Sequence, residues 1–340
     1  MIGLTLVVLL VGLGGGYAWY WQRLADGLED NLKVWLGQRR AEGFRAEAGP
    51  VAVSGFPFDI VAAIGLAELG RGRPGEPHAW HWLGQDLQVR LAPMDPWRIH
   101  ISTTAAQTVR FTDDQGQTKA IRLQADTSQG LIEIGDDGRL AQVQADFEIL
   151  ALTGSALPAP VAARHLTLEA RPAGPAASRG LGLSLQVDEL HLPARTDPIL
   201  GDLVDVASLN LTISGPLPLR WTAPVVSAWR DNGGTVEIDR ARIKWGALDT
   251  TASGALTLDQ NMRPLFSATA GLKDYHTTIN AYKKAGLITP LNAAALTIAL
   301  NMLRRDAEGR AAIAVTGQNG ILKVGPMTVA RLKPVLLPSD

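Results

Sequence analysis

Six histidines and two acidic doublets are the residues whose types and spacing could do chemistry. His78-Ala79-Trp80-His81 sets two imidazoles three residues apart, one helical turn, a spacing at which a pair can grip a zinc ion. The stretch is rich in proline and glycine, and no glutamate follows in the manner of a zinc-protease helix. The other four, His100, His165, His191 and His276, stand apart. Asp113-Asp114 and Asp136-Asp137 offer carboxylates to calcium but lack the alternating acids and final glutamate of a calcium loop. Each doublet is soon followed by glycine, and Asp with Gly is the composition of a tight turn. No metal or other cofactor is expected.

The nucleophile signatures are missing too. No serine lies in a Gly-x-Ser-x-Gly elbow, and no glycine-rich loop ends in Gly-Lys-Ser/Thr. Cysteine is absent, which removes disulfides, thiolate metal sites and thiol nucleophiles together. A pair of carboxylates for acid–base work needs no proximity in sequence, yet nothing selects one pair among 33 acids. The chain is therefore read as a non-enzyme. With a net charge of −1 it carries no basic field, so nucleic acid is not an expected partner.

The elements that must position any site begin with residues 2–22, which hold no charged side chain before Arg23. About 20 apolar helical residues rise roughly 30 Å, the thickness of a bilayer's hydrocarbon core. The run ends in Tyr17, Trp19, Tyr20 and Trp21, rings that favour the membrane–water boundary. Residues 1–22 are thus read as a single transmembrane anchor. A cleaved signal would want a basic start and a small-x-small site, both absent here. Gly12 and Gly16 form a GxxxG pair, within a stretch that is glycine-rich throughout. Arg23, Lys33, Arg39 and Arg40 follow the run, and the positive-inside rule taken literally would leave the body in the cytoplasm.

Residues 23–43 read as an amphipathic linker helix. Leu24, Leu28, Leu32, Trp35 and Leu36 recur at spacings of three and four, and Gly43 is a stop. That face either packs on the following domain or lies along the membrane surface.

From residue 44 to 337 the apolar period becomes two, the mark of strands with one dry face. Ala141, Val143, Ala145, Phe147, Ile149 and Ala151 alternate with Gln142, Gln144, Asp146 and Glu148; Leu150 breaks the polar set. Similar alternation marks Ile121-Leu123-Ala125, Leu166-Leu168-Ala170, Leu181-Leu183-Leu185-Val187, Leu209-Leu211-Ile213, Val236-Ile238, Ile243-Trp245, Ile298-Leu300-Met302 and Ile313-Val315. Short turns at residues 113–116, 136–138 and 306–309 imply antiparallel pairing of more than ten strands. Helices are expected at residues 199–206 (capped by Asp197-Pro198), 222–231 and 273–285, with a possible sub-boundary in the loop at 171–180.

The expected fold is mainly β: a long curved antiparallel sheet with a few helices behind one membrane helix. An apolar sheet face cannot be left in water, so it is either filled as a core or kept as a trough, a half-barrel suited to acyl chains. Two aromatics, Phe56 and Phe58, follow Gly55 and flank Pro57; they fill a core corner or form a lip at the groove mouth.

Val53-Ser54-Gly55-Phe56-Pro57-Phe58 resembles an early motif of a bacterial membrane-anchored family filed as domain of unknown function 2125. Gly233-Gly234, Trp245-Gly246, Gly254-Ala255-Leu256-Thr257-Leu258-Asp259, Arg263-Pro264 and Gly320-Ile321-Leu322-Lys323-Val324-Gly325-Pro326 are similar to its C-terminal pattern. The family brings no catalytic residues. It marks Gly55, Phe56, Pro57, Phe58, Trp245, Gly254, Pro264 and Gly325 as groove or motif positions. A more distant likeness is to the C-terminal portion of AsmA-like envelope proteins. What these resemblances imply is an inner-membrane protein with a periplasmic body that binds or helps transfer phospholipid or another acyl lipid. The alternative is an envelope scaffold engaging a protein partner.

Overall fold

The computed structural model describes residues 2–113, 115–173, 180–193, 199–215, 222–306 and 308–335, and the side chains of the first helix from Leu13 onward. The protein is mainly β. Among the described residues there are eighteen strands and four helices, and every strand register is antiparallel. The chain divides into two compact units, Met1–Val161 and Ala162–Asp340.

Unit 1 opens with α1, Ile2–Ala41, one unbroken helix of 40 residues, about 60 Å long. The expected anchor and linker are therefore a single rod, since neither proline nor a breaking turn separates them. The side chains of residues 1–12, more than half of the expected anchor, lie outside the described residues. Among the described residues no helix is long and apolar enough to cross a membrane. Gly43 ends α1 in the left-handed region, φ +85°, with Arg39 and Arg40 in the last turn where the helix dipole favours cations.

Nine strands follow: β1 Phe44–Ala48, β2 Val51–Ser54, β3 Ile60–Arg71, β4 Trp80–Ala92, β5 Asp95–Thr103, β6 Gln107–Thr112, β7 Thr118–Gln124, β8 Thr127–Ile134 and β9 Leu140–Thr153. β3 takes β1 and β2 along one edge and β4 along the other. β4 pairs with both β5 and β6, β5 with β8, and β9 with β8 and then β7. The linker stripe packs on this body. Trp21, Ala25, Leu24 and Leu28 close over Ile60, Leu91 and Val53.

β9 departs from its alternation at the position the sequence marks. Glu148 is the last partner of β8 and Ala151 the first partner of β7. Between them Ile149 turns into the left-handed region, φ +51°, and points out, while Leu150 is buried. The odd leucine in the polar set is thus the inward residue of a kink.

Unit 2 is a meander: β10 Val161–Ala173, β11 Gly180–His191, β12 Leu203–Ser214, α2 Ala223–Asp231, β13 Thr235–Trp245, β14 Leu248–Leu258, β15 Pro264–Lys273, α3 Tyr275–Lys284, α4 Pro290–Asn301, β16 Ala311–Gln318, β17 Ile321–Val324 and β18 Met327–Arg331. Each strand pairs with the next in the chain.

Two expectations are corrected here. The helix at 199–206 is a turn leading into β12, because Val204 and Val206 pair across to Trp245 and Lys244; its cap, Asp197-Pro198, lies outside the described residues. Ile298-Leu300-Met302 is not a strand. Thr289 accepts the Asn292 N–H (3.2 Å), Pro290 sits at the first position, and three alanines carry α4 forward.

Candidate functional site

The registers of unit 2 stack its apolar residues into four rows. Leu166, Val187, Ala207, Ile243, Thr250, Leu272 and Ala311 lie side by side across β10 to β16. The next row is Leu168, Leu185, Leu209, Ala241, Ala252, Ala270 and Ile313. The third carries Ala170, Leu183, Leu211, Ile238, Gly254, Ala268 and Val315, and the fourth Pro172, Leu181, Ile213, Val236, Leu256, Phe266 and Gly317. Seven strands about 4.8 Å apart, with rows two residues apart, make a face roughly 29 Å by 20 Å.

Among the described residues, helices cover the two ends of this face. At one, Tyr275, Ile279, Ala293 and Leu300 of α3 and α4 pack on Ala311, Leu272 and Ile313. Here Tyr275 Oη donates to Asn301 Oδ1 (2.8 Å) and accepts from Arg305 (2.9 Å). At the other, Trp229 of α2 is buried and its indole N–H donates to the Ser214 carbonyl (3.0 Å). Its ring lies where a Cβ on Gly234 would be, 2.2 Å away, so only glycine fits there. Between these lids the rows are half-buried, and Leu168 and Ile243 are each 42% exposed.

The motif positions fall in two places. Gly254 is on the floor of this face: a Cβ would come within 2.4 Å of the Ser267 carbonyl and 2.5 Å of Ala268 Cα, next to the register shift between Ile238 and Ala241. Trp245 closes β13 and donates its indole N–H to the Gly201 carbonyl (3.0 Å). Pro264 begins β15, half-buried opposite Leu258. Gly325 turns β17 into β18 at φ +56°, its N–H bonded to the Ala314 carbonyl (2.7 Å). Gly55, Phe56, Pro57 and Phe58 belong to unit 1.

There they form the turn from β2 to β3, with Phe56 and Phe58 exposed and not filling a core corner. Gly55 has φ +105°, and a Cβ would sit 2.6 Å from the Asp59 carbonyl. One stretch of α1 clasps this turn. Tyr17 Oη donates to the Pro57 carbonyl and the Trp21 indole N–H to that of Asp59 (2.9 Å). Tyr20 Oη reaches the carbonyl of Pro93 in the β4–β5 hairpin (2.8 Å). Phe56 rests edge-on against Trp21, ring centres 5.6 Å apart. The aromatic end of the helix was legible in the sequence; its bonding to these two loops was not.

The polar residues are used structurally. On the opposite face of the unit 2 sheet, Arg310, 4% exposed, bonds Asp249 (2.9 Å) and Glu308 (3.1 Å), with Arg242 and Arg240 beside them. Burial pushes the Asp249 carboxyl upward, but Arg310 and then Arg242 outweigh it and hold it below the usual range. Asp259 is likewise pushed up by burial and held low by the Arg263 backbone and guanidinium. Asp113 accepts from the Gln115 and Gln117 amides and pairs with Lys119 (2.9 Å), the turn chemistry its neighbours imply; Asp114 lies outside the described residues. His78 is in a turn and His81 in β4, so no helix pairs them. Among the described residues no group of three His, Cys, Asp or Glu is placed to hold a metal.

A family model described as an uncharacterized protein conserved in bacteria, domain of unknown function 2125, matches residues 21–333. No curated protein and no solved structure matches the chain.

Proposed function

Given that the chain belongs to the bacterial family of domain of unknown function 2125, we propose that it is a membrane-anchored β-sheet protein whose unit 2 forms an open trough for acyl lipid. The observation that carries this reading is the half-exposed apolar face of β10 to β16. A filled core would bury Leu168, Leu185, Leu209, Ile238 and Ile243; here Leu168 and Ile243 are exposed and the other three only half-buried between two helical lids. Uncovered apolar surface of that extent marks a ligand or interaction site. Each acyl methylene taken from water onto it gains about 0.8 kcal/mol before ordering costs, so a dozen supply roughly 10 kcal/mol.

The face has no fixed charge among its rows, and its hydroxyl at Thr250 donates to the Gly271 carbonyl (3.1 Å), which fits binding without chemistry. The anchor reading keeps the trough beside its cargo. A periplasmic body fits the resemblance to AsmA-like envelope proteins, against the basic residues after the apolar run. The role that follows is holding or handing on a phospholipid in envelope upkeep.

The test uses the full chain in vesicles containing a phospholipid with a photoactivatable acyl chain. Adducts on β11 to β14 peptides, abolished in L209D and I238D, are expected. Adducts confined to residues 2–22 overturn the trough. Crosslinking in cells to one stoichiometric protein, with no lipid adduct in unit 2, favours the scaffold. A C-terminal reporter active only after export checks the compartment; activity only in the cytoplasm reverses the assignment.

A further inference from the structure

We propose that the turn at residues 55–59 and the β4–β5 hairpin are a membrane-dipping lip, and that α1 holds it at the depth of the lipid headgroups. The inference rests on the anchor reading above. Three side chains within five residues of the helix, Tyr17, Tyr20 and Trp21, each bond a backbone carbonyl in one of these two loops. The loops are therefore fixed to the level at which the apolar run ends, one residue pair before Arg23. At 1.5 Å per residue, Tyr17 to Trp21 occupies about 6 Å along the helix, a narrow band at the edge of the hydrocarbon core.

What the loops present at that level is apolar and open. Phe58 is 81% and Met94 85% exposed. A soluble turn would carry polar residues here; Phe58 and Met94 instead stand exposed while the backbone beside them is bonded to α1. Pro93, the residue before Met94, is fully buried, so the tip is stiff and only its side chain projects. Aromatic rings and a thioether at a headgroup boundary are the chemistry of an interfacial lipid contact, with insertion of about 5–10 Å. The next turn at this end of the sheet, residues 135–139, carries Asp136, Asp137 and Arg139, which limits the depth to the polar layer.

The chain has no cysteine, so single labels are unambiguous. F58C and M94C, each bearing an environment-sensitive fluorophore, are compared in full-length protein in phosphatidylethanolamine–phosphatidylglycerol vesicles. R73C, in the turn at the far end of β3, is the reference. The expected result is several-fold stronger quenching by a shallow lipid-borne nitroxide than at R73C, and weaker quenching by aqueous iodide. Equal iodide quenching at all three positions in protein that resists carbonate extraction overturns the lip and leaves the anchor standing. Release of the chain by carbonate overturns both. Shielding from iodide without nitroxide quenching assigns the patch to a protein contact and also overturns the lip.

Discussion

Replacing Trp21 with alanine should open the clasp between α1 and the turn at residues 55–59. Trp21 is 8% exposed, packs on Ile60 and Leu91, and satisfies the Asp59 carbonyl. Truncating a buried tryptophan costs about 3–5 kcal/mol, part of it from the cavity left behind. W21F keeps most of the ring area and removes only the N–H, a loss of about 1 kcal/mol, rising toward 3 if the freed carbonyl stays dry. At 1.4 kcal/mol per decade, W21A shifts the local opening equilibrium by roughly two to three and a half orders of magnitude. Hydrogen exchange of peptides spanning residues 55–64 reads this directly, since the Asp59 amide is itself bonded to the Gly55 carbonyl (3.0 Å). Exchange should rise steeply in W21A, modestly in W21F, and remain unchanged in β12 to β14. Equal effects of the two variants would show that the hydrogen bond, not ring packing, holds the clasp. No change in either would refute the reasoning.

Asp249, Asp259 and Glu308 all sit below the ordinary carboxylate range, so their stabilisation is present above the unfolded-state values near pH 4 and is lost as pH falls through the folded-state ones. Thermal unfolding should therefore hold steady from about pH 7 to 5 and drop in acid, with R310M, which removes the partner of Asp249 and Glu308, flattening that acid slope. Arg310, whose own value is raised although burial opposes it, is charged throughout and adds no dependence. G254A places a methyl against backbone atoms of β15 and should cost about 1–3 kcal/mol in denaturant unfolding, whereas G138A, with open space around the added carbon, should cost no more than its left-handed backbone demands, about 1 kcal/mol. T289A should lose about 1 kcal/mol through the α4 cap, read as helical signal and midpoint together.

The sheet was legible wherever one face is apolar and the other polar, because the period of two reports that asymmetry directly. β11 and the end of β12 keep it through the apolar rows, and β9 keeps it as far as the kink at Ile149. The reading failed where another pattern imitated or hid it. Helix α4 is apolar all round, with Leu291 and Ile298 exposed, so Ile298, Leu300 and Met302 mimic alternation. Residues 199–206 carry a helix-start dipeptide, yet Val204 and Val206 are claimed by strands on both sides. The apolar rows needed the register between seven strands, which depends on turns and bulges that no single segment encodes. The clasp needed contacts 38 to 73 residues apart. Arg310 gave no signal, since an arginine after a glycine turn reads as surface until the sheet closes over it.

The neighbour-to-neighbour wiring of unit 2 also governs how it is made. β10 to β18 each pair with the strand next in the chain, so most ladders close a short loop at small entropic cost; the exceptions are β12–β13 and β15–β16, which wait for α2 and for α3 with α4. Unit 1 is different: β5 must wait for β8, and β4 for β6. Local wiring speeds assembly. A chain emerging tail-last can zip unit 2 hairpin by hairpin, hiding each sticky edge with the next strand to arrive.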